Sequence, residues 1–465
     1  MLLHPSSLPG PGPIGELGPY AHAFLEWMSQ AGLDTWQVLP LHPVGPGLSP
    51  YASPSAFAGD PRLISVEALV QDGVLDPVPT PWGTDAVDAD AVEGWKVPLL
   101  RLAAARVANT PECDAWARTE ASWLPDWVAW AERADASAGP RAGGAGAAGP
   151  GSRAIHRGLQ FLFARQWSAL RARARSRGIQ VLGDVPLFVS GDGCDVEMHR
   201  ELFQFNAAGV ADPVAGVPPD YFAPLGQRWG NPTYDWAAHA RTGFRWWIAR
   251  IRRELELVDL VRIDHFRGLA ASWAIAADEP DARKGRWVDG PGIALFEALQ
   301  AALGEGALPL IAEDLGEITP DVVALRRAAG LPGMKVLQFA FGAGSDHPFL
   351  PHNFTGPDCV VYTGTHDNDT ALGWYQATNE PTRDHFRRYT ARDGSDPAWA
   401  LLREAWASVA SLAVAPMQDV LGSDSGARMN TPGIASGNWG WRLRALPWDR
   451  APMMRSLGET YGRVV

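Results

Sequence analysis

Eight short apolar runs alternate with helical stretches along this chain, and that alternation limits the fold more than any other feature. The runs are Leu2–His4, Thr35–Leu41, Gln180–Phe188, the stretch around Leu260, Val261 and Ile263, Leu308–Asp314, Met334–Ala340, Cys359–Gly364 and Met417–Gly422. Between them lie segments with helical patterning: about Ala21 to Ala31, Ile155 to Arg177, Phe244 to Leu257, Gly292–Ala302, Pro320–Ala329 and Pro397–Val414. Gly32 and Gly178 stand where two of these helices end, as C-terminal caps. Strands alternating with helices imply parallel β-α units. Eight units predict an α/β protein with a closed (β/α)8 TIM barrel. The open doubly wound sheet is the alternative. Its dinucleotide-binding version would need a Gly-x-Gly-x-x-Gly between strand and helix, and the chain has none there.

A chain of 465 residues is long enough for one barrel with insertions. Residues 62–150 are expected to form an inserted, mostly helical subdomain after the second strand. Within it the Ala136–Ser152 tract is mostly Ala and Gly and cannot bury a core. Residues 189–236 are expected to form a long irregular insertion at the active-site end after the third strand. The loop after the second strand, with Ser49-Pro50-Tyr51, is also too long and aromatic for a plain connector.

Charge and composition exclude several functions. The net charge of −12 argues against nucleic acid or an anionic membrane as partner. No run is apolar enough to span a bilayer. Three widely spaced cysteines, Cys113, Cys194 and Cys359, show no metal-ligand spacing and read as thiols of a reducing, cytoplasmic compartment. The 21 Trp residues are an unusual number, because a buried indole N–H needs a partner. Most are expected to pack, as Trp123, Trp127 and Trp130 do at helical spacing, and a minority to form stacking platforms for a flat ligand.

Four carboxylates stand at the ends of apolar runs: Asp184, Asp264, Glu313 and Asp367. In a barrel that end is the catalytic face, so the four converge on one pocket. Unpaired negative charge gathered in a pocket is costly without a functional reason. Arg262 and Asp264 are two apart and share one face of a strand. A carboxylate beside a fixed guanidinium is held ionised, as a nucleophile must be. Glu313 follows an apolar run and has acidic neighbours, conditions that favour its protonated form. Asp367, beside His366, is placed to bond sugar hydroxyls. Several carboxylates, many aromatics and no metal-ligand cluster point to glycoside chemistry.

These residues carry a resemblance. The stretches His4-Pro5-Ser6-Ser7-Leu8-Pro9-Gly10, Trp36-Gln37-Val38-Leu39-Pro40-Leu41, Ser49-Pro50-Tyr51, Gly183-Asp184-Val185-Pro186, Gly226-Gln227-Arg228-Trp229-Gly230-Asn231-Pro232, Arg262-Ile263-Asp264-His265-Phe266-Arg267-Gly268, Ala312-Glu313-Asp314-Leu315-Gly316, Gly364-Thr365-His366-Asp367-Asn368 and Arg428-Met429-Asn430-Thr431-Pro432-Gly433 run almost end to end. Together they resemble the amylomaltase family, bacterial 4-α-glucanotransferases of the α-amylase superfamily. That resemblance implies a retaining double displacement on α-1,4-glucans such as maltodextrin, glycogen or starch, with glucose as an acceptor. It makes Asp264 the nucleophile, Glu313 the acid/base and Asp367 the transition-state stabiliser. It assigns Arg262 to orienting the nucleophile, His366, Asp184 and Tyr51 to the reacting sugar, and Tyr221, Phe222 and Trp229 to a loop over the cleft. It implies no metal or organic cofactor. The first strand departs from the family pattern by starting at Met1, where relatives carry several more residues. Two other readings share these residues in part: an α-1,4-glucan hydrolase, with water as acceptor, and a silent carbohydrate-binding protein, which would be free to lose the reactive carboxylates.

Overall fold

The computed structural model describes residues 1–81, 83–137, 151–219 and 223–464. Tyr221, Phe222 and most of the Ala136–Ser152 tract lie outside the described residues. Eleven strands are present among them: β1 (Thr35–Gln37), β2 (Gln180–Val185), β3 (Val214–Val217), β4 (Gln227–Pro232), β5 (Leu260–Ile263), β6 (Ala271–Ile275), β7 (Gly285–Asp289), β8 (Leu310–Ala312), β9 (Gly333–Val336), β10 (Cys359–Tyr362) and β11 (Leu412–Val414). Seven of them, with the Leu2 segment, make a (β/α)8 barrel.

β1, β2, β5 and β8 pair in parallel in that order, and so do β9, β10 and β11. Between the two groups, the Ala312 N–H donates to Pro332 O (3.0 Å) and the Met334 N–H to Asp314 Oδ1 (2.7 Å). On the other side Leu2 bridges in parallel to both Gln37 and Pro416. Its N–H donates to Ala415 O and its carbonyl accepts from the Met417 N–H. Buried indoles tie the same ring together, Trp36 Nε1 donating to Leu3 O (2.7 Å) and Trp167 Nε1 to Leu257 O (2.8 Å). A buried indole N–H needs such a partner, and both find one at the end of a neighbouring element.

Most strands are shorter than the apolar runs that predict them, because those runs continue past the ladder into a loop. The eighth differs in place as well as in length. Met417–Leu421 is a helix, and the strand is Leu412–Val414. The expected helix Pro397–Val414 ends at Ala407. Pro416 separates the two: it cannot donate to a strand ladder, but it suits the position that caps the following helix. The helices Pro19–Gln30, Ser152–Ser176, Arg245–Leu257, Ile293–Leu303 and Pro320–Ala328 lie within a few residues of expectation. Gly32 (φ +67°) and Gly178 (φ +70°) take the left-handed backbone at two of their ends.

Between residues 62 and 137, helices Val66–Gln71, Val97–Val107, Pro111–Thr119 and Leu124–Ser137 dominate. Trp123 and Trp127 are buried, and Trp127 stacks on Trp130 at 5.4 Å. Residues 189–236 are less irregular than expected. They contain β3 and β4, which join β6 and β7 in a four-stranded antiparallel sheet ordered β4-β3-β6-β7. No helix among the described residues is long and apolar enough to cross a membrane.

At the opposite end of the barrel, Asp259 fixes the start of β5 against β2. Its carboxylate accepts from the Val181 N–H (2.9 Å), Arg171 Nη2 (2.8 Å) and Arg175 Nη2 (2.8 Å). Burial works against its charge, yet these three donors together hold the carboxyl below its ordinary range. The stabilisation it brings is therefore present above the unfolded pKa and lost as pH falls. Asp259→Ala is expected to lower stability at pH 7 by about 2 kcal/mol, a modest figure because solvent reaches the group. The drop in urea midpoint should shrink steadily below the ordinary carboxylate range; a drop that is the same at acid and neutral pH would contradict this role.

Candidate active site

β2 and β5 run side by side with Asp184 directly opposite Arg262. Parallel neighbours place such partners at the same height, so the two side chains meet inside the barrel mouth. Arg262 Nη1 donates to Asp184 Oδ1 (2.7 Å) and Oδ2 (2.6 Å), while Nη2 reaches Asp264 Oδ1 at 2.9 Å. Arg262 is 3% exposed and Asp184 fully buried. Asp264 lies one step beyond β5, and its side chain keeps 28% of its surface open. One guanidinium thus serves two carboxylates of different access. Burial pushes the Asp184 carboxyl up to about 6, with Arg262 pulling the other way. For Arg262, burial opposes the charge, but Asp184 and Asp264 outweigh it and raise the guanidinium further.

Glu313 follows β8, the next strand round the barrel. Its carboxylate accepts from the His265 N–H (Oε2, 2.7 Å) and the Leu315 N–H (Oε1, 2.9 Å). Burial is the main force on it, and with the Asp264 charge it pushes the carboxyl up to about 8; Arg262 and the two N–H donors act in the opposite sense. Asp367 sits in the loop after β10. Asn430 Nδ2 donates to its Oδ1 (2.6 Å), and Arg428 Nη2 donates to its backbone carbonyl (2.6 Å). His366 Nε2 lies 3.4 Å from the same Oδ1.

The Tyr51 hydroxyl donates to Asp184 Oδ2 (2.8 Å), and its ring stacks on His366 at 5.0 Å and 16°. Tyr51, Asp184, Arg262, Asp264, Glu313, His366 and Asp367 are therefore joined, directly or through one neighbour, into one constellation. Trp229, on β4, meets the ring of His265 edge-on at 4.9 Å, next to Asp264. Three residues join the site that the sequence patterns did not single out. Trp439 packs on both Tyr51 (5.7 Å) and His366 (5.9 Å). Arg428 and Asn430, in a stretch noted only for its resemblance, brace Asp367. No strand pattern marks them. For Trp439 the signal was the local run Gly437-Asn438-Trp439-Gly440, an aromatic set among turn formers.

The arrangement pairs an accessible carboxylate, held by a cation, with a buried carboxyl that keeps its proton near neutrality. That is the equipment for attack at a sugar carbon with protonation of the leaving oxygen.

Removing Arg262 isolates its share. Arg262→Met leaves Asp184 buried without its cation and raises its carboxyl further. The variant is expected to lose about 3 kcal/mol of stability at pH 7. A folded-state pKa raised above the unfolded value gives stability that falls as pH rises. The urea-measured penalty should therefore be smaller at pH 5 than at pH 7, and the reverse order would contradict the pairing.

The family model for 4-alpha-glucanotransferases matches residues 3–447. The 4-alpha-glucanotransferase of Thermus thermophilus is 45% identical over 496 aligned residues, covering 100% of this chain and 98% of that protein. That of Synechocystis is 42% identical, covering 95% of this chain and 93% of its own length. The solved structure of amylomaltase from Streptococcus agalactiae in complex with acarbose superimposes with a TM-score of 0.92 at 31% identity, covering 100% of this chain and 99% of that one. The chain belongs to the 4-alpha-glucanotransferase family.

Proposed function

We propose that this enzyme moves a segment of an α-1,4-glucan onto the 4-OH of another glucan or of glucose, by two displacements at one sugar carbon. The observation that carries this reading is the pairing of Asp264, held at 2.9 Å by Arg262, with a Glu313 carboxyl pushed up to about 8. In the first displacement Asp264 attacks the anomeric carbon and Glu313 donates its proton to the departing glycosidic oxygen. The C–O bond to the leaving glucan breaks as the bond to the Asp264 oxygen forms. In the second, Glu313 takes the proton of the acceptor 4-OH, whose oxygen displaces Asp264. Asp367, braced by Asn430, would bond the sugar hydroxyls and steady the oxocarbenium-like transition state. His366 binds the same sugar and Tyr51 stacks on it, whereas Asp184, expected to touch the sugar, is fully buried and acts through Arg262 and the Tyr51 hydroxyl.

Transfer rather than hydrolysis requires orientation of the acceptor and exclusion of water. The antiparallel sheet supports this by placing Trp229 beside the nucleophile turn. Three buried, unpaired cysteines support a reducing compartment, and we place the enzyme in the cytoplasm.

Maltotriose is the deciding substrate. The enzyme should yield glucose together with maltopentaose and longer chains, with little gain in reducing ends. Asp264→Ala should lower that turnover by about 10⁴-fold or more while remaining folded. Glucose and maltose as sole products, with reducing ends rising in step, would move the reading to a hydrolase.

The pH profile tests Glu313. Activity should fall on the alkaline side with a midpoint at about 8, as the acid loses its proton. Glu313→Gln should be inactive on natural glucans but keep the first step on a donor whose leaving group needs no proton. Equal loss on both donors would sink the assignment.

A further inference from the structure

The turn that follows β5 carries more than Asp264. His265 takes a left-handed backbone (φ +54°), uncommon for a residue with a side chain. That conformation directs its N–H to Glu313 Oε2 at 2.7 Å. Phe266–Leu269 then form a short 3-10 turn.

The antiparallel sheet touches this turn from both of its edge strands. From β4, Trp229 meets the His265 ring edge-on. From β7, Trp287 lies face-on to Arg267, with the guanidinium carbon 3.7 Å from a ring centroid. Arg267 is 6% exposed, and its Nε and Nη1 have no hydrogen-bond partner among the described residues. Its Nη2 reaches only Thr319 Oγ1, at 3.4 Å. Glu317 and Asp321 act on the charge from the segment after β8. The ring face of Trp287 thus lies against a cation with little hydrogen bonding of its own and offsets its charge. Backbone bonds run the same way: the Gly290 N–H donates to Ala270 O (2.7 Å) and the Gly292 N–H to Leu269 O (3.0 Å).

We propose that Trp287 is a positioning residue: by gripping Arg267 it holds the 264–269 turn in the setting that keeps the His265 N–H on Glu313. The proposal rests on Glu313 being the acid/base. Its consequence has a sign. An N–H donated to a carboxylate favours the ionised form. Arg262 and the Leu315 N–H push the same way, while burial and the charge of Asp264 favour the acid. From β10, the buried Tyr362 lies within the electrostatic reach of Glu313. Releasing the turn weakens the His265 contribution, so Glu313 should hold its proton to higher pH.

The test is the alkaline limb of the pH–rate profile in Trp287→Leu, which keeps apolar bulk but has no ring face. The limb should move up by about 0.5–1 pH unit, with turnover down about tenfold at pH 7. Trp287→Phe, which restores a ring face, should return both toward the parent. Trp287→Met serves in place of the leucine variant if that is not recovered folded. An unmoved limb in the variant without the ring, or a limb in Trp287→Phe displaced as far as in Trp287→Leu, would overturn the grip. Glu313→Gln separates the two failures. An inactive Glu313→Gln with an unmoved limb sinks the role of Trp287 alone, whereas an active Glu313→Gln sinks the acid/base assignment beneath it.

Discussion

The site depends on one buried guanidinium. Arg262 has lost its water and holds two carboxylates, one sealed behind it and one at the pocket surface. Removing a cation from water costs several kcal/mol, and attraction to a single carboxylate does not reliably offset it. Two partners in bonding geometry change that balance. Asp184 takes both contacts from one guanidinium nitrogen and receives the Tyr51 hydroxyl besides. Asp264 takes the other nitrogen and keeps an open side. A lysine would not substitute, because a compact ammonium lacks the fixed fork that serves both carboxylates at once.

The barrel makes this arrangement geometrically inexpensive. In parallel strands, register partners lie at equal height, so pairing Asp184 with Arg262 across β2 and β5 needs no loop to deliver either. Asp264 follows one residue beyond the ladder and Glu313 one residue beyond β8, next in the ring. Loops then supply what strands do not. The loop after β1 brings Tyr51, the loop after β10 brings His366 and Asp367, and the segment after β11 brings Asn430 and Trp439. Strand ends thus hold Asp184, Arg262, Asp264 and Glu313, while Asp367 and the stacking and bracing groups come from longer excursions.

Much of this was legible because strand ends in a barrel share a signature, an apolar run followed by a polar residue. Asp184, Asp264 and Glu313 were readable on that basis. The eighth strand was not. Two apolar runs, one either side of Pro416, compete for the role, and only the ladder to Cys359–Tyr362 selects the first. The antiparallel sheet was missed for a different reason. β4 reads Gln227-Arg228-Trp229-Gly230-Asn231-Pro232, with one large apolar side chain, three turn formers and a largely exposed face, so no alternation announces a strand. Arg262 was paired with Asp264 from spacing alone. Its bond to Asp184 joins residues 78 apart in sequence and needed the register. Asn430 and Arg428 could be noted in a motif, but their task follows only from where Asp367 lies.

Glu313 shows why such a site is built from opposed forces rather than from one strong one. Under the proposed double displacement it releases a proton in the first step and accepts one in the second, so a group committed to either state would fail half of that cycle. Burial alone would lock it as an acid. The His265 and Leu315 N–H groups and the Arg262 charge would, alone, lock it as an anion. Set against each other they leave the carboxyl near neutrality, where proton transfer in both directions is affordable. The left-handed setting of His265 fits this account. A relaxed turn would cost less to form but would aim its N–H elsewhere, and the carboxyl would move toward the acid. The strain therefore sits in the backbone next to Asp264, under the packing of Trp229 and Trp287 from the overlying sheet.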